Sequence, residues 1–161
     1  MIALGIDPGY GICGFGFVQN LDGNISAPSF GVIETSPKAL MQDRLLKIHC
    51  ELNGLIESFK PDIVGVEKLF FGKNSTTAVA VAQARGVVLL AAALNNLPLV
   101  EITPNEVKQS ITGYGKATKE QVIYMVTKIL NLPAPPKPDD AADALAIALA
   151  ASYTNPLEFY L

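Results

Sequence analysis

The chain has 161 residues, of which 50% are hydrophobic, and a formal net charge of −3. This length is typical of one compact domain with a substantial core, so we expect residues 1–161 to form a single domain. The longest uninterrupted apolar run, residues 87–94, is shorter than the ~20 residues that a membrane span requires. Met1 leads directly into an apolar segment without a charged leader. We therefore expect a cytoplasmic protein without a membrane partner.

The acidic net charge does not by itself favour a nucleic-acid partner, but the charges are unevenly distributed. Between residues 68 and 119, six lysines and arginines stand against only two acids. The middle of the chain is therefore locally basic. On balance, the charge neither favours nor excludes DNA as a partner.

The first half of the chain predicts three strands and a helix. Apolar runs at residues 2–6 and 11–18, and a third that ends at Glu34, are separated by turn-forming residues such as those at 22–24. This pattern is typical of an antiparallel meander. An amphipathic helix is predicted over about residues 39–59, because its apolar side chains recur at spacings of three and four.

The second half of the chain alternates short strands with helices. Strands are predicted at residues 63–66 and 99–102, on either side of a helix over about residues 75–95. This helix is apolar on nearly every face, so we expect it to pack both on the sheet and on a second subunit. The order of elements predicts an α/β fold with a mixed five-stranded sheet flanked by helices.

Capping signals predict where the last three helices begin. Thr103 and Thr118 each precede a Glu or Gln at the third helical position, as in a capping box, and Pro104 suits the first helical position. The second of these helices is predicted to end near residue 130. Asp139 or Asp140 is expected to cap the last helix, which is rich in alanine and is predicted to run to about Tyr153.

Four carboxylates lie where the predicted elements would bring them together. Asp7 ends the first strand, Glu67 ends the fourth, and Asp140 and Asp143 are three residues apart on one face of the last helix. If the first and fourth strands are neighbours, Asp7 and Glu67 meet at the carboxyl edge of the sheet, where sites form in α/β folds. Oxygen ligands of this kind are those that Mg²⁺ prefers, with Mn²⁺ as an alternative.

Four carboxylates can hold two Mg²⁺ ions about 3.5–4 Å apart, the arrangement that hydrolyses phosphodiesters. In that chemistry one ion generates a hydroxide nucleophile and the other stabilises the leaving 3′-oxygen. Each acid also has an ordinary interpretation. Asp7 could form a turn, Glu67 could be a solvated strand end, and the helix acids could favour the helix N-terminus. The coincidence of all three in one chain favours the metal site, whereas Asp139 is assigned only to the cap.

Four segments carry a resemblance to a known family. Residues 2–9, 66–70, 82–86 and 140–146 are similar to the signature segments of the RuvC-type Holliday junction resolvases, in the same order and over nearly the whole chain. The resemblance implies a ribonuclease H-like fold and a homodimeric endonuclease that cuts two strands of like polarity across a four-way DNA junction, in recombination and repair. It also implies a branch-migration complex of the RuvA–RuvB type as a partner.

The resemblance assigns further residues to the chemistry. It makes Asp7, Glu67, Asp140 and Asp143 the catalytic carboxylates, which are the same residues as the predicted metal ligands. Phe70 aligns with an aromatic that stacks on a base at the junction. Lys108 and Lys119 match basic positions near the scissile strand, and Lys119 is expected to be nearest the reacting phosphate. Two loop lysines, Lys73 and Lys116, are further expected DNA contacts.

Two other functions are compatible with parts of the sequence. The motif Asp7-Pro8-Gly9 loosely fits the phosphate-binding turn of actin-type and sugar-kinase-type ATPases, although those proteins need a duplicated domain that 161 residues cannot supply. A non-catalytic scaffold that binds junctions is the other alternative. It gives no reason for keeping four mutually repelling acids.

Overall fold

A computed structural model describes residues 1–68 and 75–155, without the side chains of Ser75 and Thr76. In these ranges the strands are β1 Ile2–Asp7, β2 Ile12–Leu21, β3 Asn24–Glu34, β4 Ile63–Glu67 and β5 Leu99–Ile102. The helices are α1 Met41–Phe59, α2 Ser75–Leu94, α3 Pro104–Thr112, α4 Lys119–Ile129 and α5 Asp139–Ala151. The predicted order of elements is confirmed.

The strands form one mixed sheet in the order β3-β2-β1-β4-β5. β1, β2 and β3 pair antiparallel, whereas β4 runs parallel to both β1 and β5. The turn between β2 and β3 contains Asp22 and Gly23, both with positive φ, as a tight hairpin requires. Ile6 of β1 is in register with Val66 of β4, so the next residue on each strand is one of the predicted carboxylates.

The helix α5 packs directly on the backbone of the sheet. Four glycines face it: Gly5, Gly14, Gly16 and Gly65. A Cβ atom on Gly5 would collide with the backbone of Ala144 and Ala148, and one on Gly14 would collide with the carbonyl oxygen of Asp140. α5 is correspondingly rich in alanine and almost wholly buried. This close approach fixes the first turn of α5 over the carboxyl end of β1.

Side chains are buried on both faces of the sheet. On one face, α5 packs with α3 and α4 around residues such as Val107, Val122 and Leu145. On the other face, α1 and α2 cover residues such as Leu4 and Phe17. The sheet is therefore the middle layer between two sets of helices.

Residues Thr77–Leu94 of α2 are long and apolar enough to cross a membrane by length and composition, although no uninterrupted apolar run has this length. The expectation that no segment is long and apolar enough to span a membrane is therefore not met when the whole helix is considered instead of its longest apolar run. A core helix passes the same test. In α2, Ala84 and Val88 are buried in the core, and Arg85 pairs with Glu101 of β5 at 2.8 Å. One face of α2 therefore belongs to the core, although only 22% of the residues Thr77–Leu94 are buried.

The opposite face of α2 carries an apolar stripe that is exposed in the described residues. Val79, Gly86, Leu90 and Leu94 follow one another at helical spacing, and the three larger side chains are more than half exposed. Nothing lies within 4 Å of the position that a Cβ atom would take on Gly86. We call these four residues the α2 stripe.

The start of α5 differs from the prediction. The N-cap is Pro138, and no side chain caps the helix. Asp139 and Asp140 lie inside the first turn, so the prediction that one of them caps the helix is wrong. The physical reason is that Asp139 forms an ion pair with Lys119 instead of bonding to its own backbone. The helix ends at Ala151, two residues before the predicted end.

The glycine contacts generate a testable prediction. Gly5→Ala should destabilise the fold by about 3 kcal/mol or more, because backbone atoms of α5 cannot move aside as a flexible side chain can. Gly54→Ala is the matched control, since Gly54 lies within α1 with nothing near its Cβ position. That substitution should stabilise the protein by roughly 0.5–1 kcal/mol. Urea denaturation measures both, and similar stabilities for the two variants would contradict direct packing of α5 on the sheet.

Candidate active site

A cleft of about 260 Å³ opens at the carboxyl edge of β1 and β4. Three of the predicted carboxylates line it, namely Asp7, Glu67 and Asp143. Lys108 and Lys119 line it too. Its apolar wall consists of Pro104, Val107, Val122, Ala146 and Ile147. The cleft thus combines acids from two strands and one helix with two lysines.

Separate elements supply the acids. Asp7 and Glu67 are the last residues of β1 and β4, whose parallel pairing makes them neighbours. Asp143 lies one turn into α5. Asp140 also lies on α5 and acts electrostatically on Asp7, but it is not among the residues that line the cleft. All four are half-buried.

The acids perturb one another. Burial, followed by the negative charges of Glu67, Asp143 and Asp140, raises the pKa of Asp7 from 3.8 to about 7. Burial, followed by the charge of Asp143, also raises the pKa of Glu67. Without a cation, the site therefore favours a proton on Asp7 near neutral pH.

The four predicted carboxylates lie near one another but do not form a ready coordination shell for the expected pair of ions. No three Asp, Glu, His or Cys side chains in the described part of the chain are grouped closely enough to hold a metal as they stand. The donor set nevertheless fits a hard divalent cation, since all four groups offer oxygen and their mutual repulsion would be relieved by positive charge. The site is therefore a set of neighbouring ligands rather than a finished coordination shell.

Lys119 already supplies one positive charge to these acids. Its Nζ atom donates to Asp143 Oδ2 at 2.9 Å and lies 3.2 Å from Asp139 Oδ2. The hydrogen bond to Asp143 is the main cause of a raised Lys119 pKa. Lys119 is the first residue of α4, which the capping box of Thr118 fixes in place, as predicted.

Sequence reasoning missed the pairing of Asp139 with Lys119. The available signal was spacing, because residues 139 and 143 are four apart and therefore share a helix face. Because Asp139 was interpreted only as a helix cap, its ion pair with Lys119 was not predicted. The side chain is 70% exposed, so the pair orients Lys119 more than it stabilises the fold.

The remaining predicted DNA contacts are distributed differently. Lys108, in α3, is half-buried and lines the cleft. Lys116, in the loop between α3 and α4, is exposed and is not among the cleft residues. Phe70 and Lys73 lie outside the described residues.

Comparison with known proteins gives a consistent result. The family model described as "Crossover junction endodeoxyribonuclease RuvC" matches residues 3–151. The protein of that name from Carboxydothermus hydrogenoformans is 52% identical over 150 residues, which are 93% of this chain and 94% of the relative. The one from Syntrophomonas wolfei is 45% identical over 161 residues, which are 100% of this chain and 94% of the relative.

Solved structures agree with the sequence relatives. T. thermophilus RuvC, in complex with Holliday junction substrate, superposes with a TM-score of 0.90 at 37% identity, covering 99% of this chain and 94% of that one. The resemblance found in the sequence and the ribonuclease H-like fold that it implied are both confirmed. Nucleases of this family are metal-dependent, in agreement with a site built from carboxylates. This chain belongs to the RuvC family of crossover junction endodeoxyribonucleases.

Proposed function

We propose that this chain resolves four-way (Holliday) DNA junctions by paired nicks in strands of like polarity, during homologous recombination and DNA repair. The observation that carries the proposal is the cleft in which Asp7, Glu67 and Asp143 lie beside Lys119, in a chain of the RuvC family. The T. thermophilus relative forms a complex with Holliday junction substrate, which supports the same class of substrate here.

The metal site consists of Asp7, Glu67, Asp140 and Asp143, with two Mg²⁺ ions per active site and Mn²⁺ as a substitute. Bound there, the ions would supply the Lewis acidity that activates water and stabilises the leaving 3′-oxygen. Burial, followed by mutual repulsion, raises the pKa values of Asp7 and Glu67. These shifts support the assignment, because a bound cation would offset both the lost solvation and the repulsion of the charged carboxylates. Metal binding there would require the carboxylates to turn toward one another and Asp143 to give up its bond to Lys119.

Lys119 acts on the substrate once Asp143 has released it. Its ammonium then keeps only the exposed Asp139 as a partner and is suited to a non-bridging oxygen of the scissile phosphate, where negative charge grows in the transition state. Lys108 lies in the same cleft and binds the phosphate as a point charge. Lys116, Lys73 and Phe70 supply further DNA contacts, with Phe70 stacking on a base.

The active form is a homodimer that pairs two α2 stripes. A two-fold axis presents two active sites to symmetry-related strands. The α2 stripe supports this assembly, since an exposed apolar face at helical spacing is typical of a helix–helix interface, and Gly86 permits close approach.

The family also supports a partner complex and a location in the cell. A branch-migration complex of the RuvA–RuvB type delivers the junction in the cytoplasm, where the bacterial chromosome lies. The family match over residues 3–151 supports a single nuclease domain. The ATPase and scaffold alternatives gain no support from the cleft, which three of the four predicted acids line.

The first prediction from the proposed function concerns cleavage of the junction. Asp7→Asn should lower the rate of junction cleavage with Mg²⁺ by more than about 100-fold, because the loss of a ligand exceeds the 10–100-fold cost of losing an outer-sphere partner. Binding of the junction in Ca²⁺ should persist. Asp22→Asn is the matched control, because it makes the same change in the exposed β2–β3 turn. Mapping nicks on a mobile synthetic junction measures the effect, and retained cleavage by Asp7→Asn would exclude this site.

A second prediction follows from the pKa of Asp7. In the metal-free protein, folded Asp7 keeps its proton up to about pH 7, whereas the unfolded chain releases it near 3.8. The unfolded state thus binds fewer protons in this window, so Asp7 makes stability fall as pH rises from 4 to 7. Asp7→Asn should raise metal-free stability at pH 8 by about 4 kcal/mol, because each unit of pKa difference corresponds to about 1.4 kcal/mol.

Thermal unfolding in EDTA and in Mg²⁺ tests this second prediction. Mg²⁺ should stabilise the wild type and the Asp22→Asn control but not Asp7→Asn. Equal metal-free stability of wild type and Asp7→Asn at pH 8 would contradict the crowding of charge around Asp7.

A third prediction concerns assembly. Leu90→Glu should convert the dimer to a monomer, because the interface would bury a charge. Leu21→Glu, at a comparably exposed leucine of the β2–β3 hairpin, is the control and should stay dimeric. Sedimentation velocity distinguishes them, and a Leu90→Glu dimer would locate the interface elsewhere.

A further inference from the structure

Arg44 is held in one orientation by two neighbours. Its Nε atom donates to Thr35 Oγ1 at 2.8 Å, and its guanidinium carbon lies 4.7 Å from the centre of the Tyr10 ring. Thr35 is buried, and its hydroxyl donates in turn to the carbonyl oxygen of Tyr10. Stacking and the hydrogen bond together immobilise a side chain that is normally flexible.

The charge of Arg44 has no acidic partner among the described residues. The ion pairs found there involve Lys47, Arg85 and Lys119. The buried side-chain atoms without a hydrogen-bond partner do not include a nitrogen of Arg44. Its two terminal nitrogens are therefore open to solvent while Nε is satisfied.

Helix energetics do not explain this arginine either. Arg44 lies in the first turn of α1, where the helix dipole disfavours a cation. An arginine that is oriented, unpaired and placed against the dipole is suited to an external anion. Its terminal nitrogens form a planar fork that matches the oxygens of a phosphate.

The position of Arg44 connects it to the active site. Tyr10 is the third residue after Asp7, so their Cα atoms are at most about 11 Å apart. Arg44 reaches this loop from α1, which covers the face of the sheet opposite to α3 and α4. It therefore flanks the site on the side away from Lys108 and Lys119.

We propose that Arg44 is a preorganised contact for a backbone phosphate of the junction DNA, with Tyr10 and Thr35 as its positioning residues. The proposal rests on the proposed function, since it extends the DNA path across the sheet edge. Contacts from both sides of the cleft would hold the scissile strand over the carboxylates.

The salt dependence of junction binding tests this contact. Binding of wild type, Arg44→Gln, Arg44→Lys and Lys47→Gln would be measured in Ca²⁺ by fluorescence anisotropy between 50 and 300 mM KCl. Lys47→Gln is the matched control, because it removes a cation from the same helix that is already paired with Glu51 at 3.5 Å. Circular dichroism checks that each variant is folded.

Arg44→Gln should bind about fivefold more weakly at roughly 0.1 M salt, and its slope of log K against log salt should be smaller by about 0.9 per protomer. Arg44→Lys should keep the slope but lose about threefold in affinity, since the charge remains and the fork is lost. Lys47→Gln should match the wild type.

A slope and affinity of Arg44→Gln equal to those of the wild type would overturn the proposal. If Arg44→Gln does not fold, the Arg44→Lys variant tests the proposal instead. Wild-type affinity of Arg44→Lys for the junction would also overturn the proposal. Failure of the wild type itself to bind the junction would instead contradict the proposed function.

Discussion

Direct contact between α5 and the glycines of the sheet is the constraint on which the site depends. Asp7 and Glu67 occupy adjacent strand ends because β1 and β4 pair in parallel. The acids of α5 reach them only because the helix lies against the backbone at Gly5 and Gly14, without side chains between. A more distant helix would leave Asp140 and Asp143 separated from the strand acids.

This packing concentrates negative charge in a partly buried place. Burial, together with this repulsion, raises the pKa of Asp7 to about 7, which destabilises the metal-free protein. Lys119 offsets part of that charge by pairing with Asp143 and Asp139. The same repulsion favours binding of divalent cations, so the charge that destabilises the metal-free protein also favours metal binding.

Much of this structure could be predicted from local sequence. The order of strands and helices along the chain, the Asp22-Gly23 turn and the capping boxes at Thr103 and Thr118 follow from short-range rules, and they are confirmed. The cap of α5 was predicted wrongly because a tertiary ion pair competes with local capping. Spacing indicates that Asp139 and Asp143 share a helix face, but no local pattern shows that Lys119 meets them there. The contacts of Arg44 with Tyr10 and Thr35 likewise join segments that are distant in sequence. Whether neighbouring carboxylates form a metal coordination shell depends on their side-chain rotamers, and sequence spacing does not determine rotamers.

The central claim is that acids from β1, β4 and α5 bind divalent cations together. Anomalous X-ray diffraction from crystals grown with Mn²⁺ tests it most directly, because the peaks locate the ions independently of activity. We expect anomalous density between Asp7, Glu67 and the acids of α5, with Lys119 turned away from Asp143. Fully occupied Mn²⁺ sites elsewhere, with no density at the carboxyl edge of β1 and β4, would contradict the account.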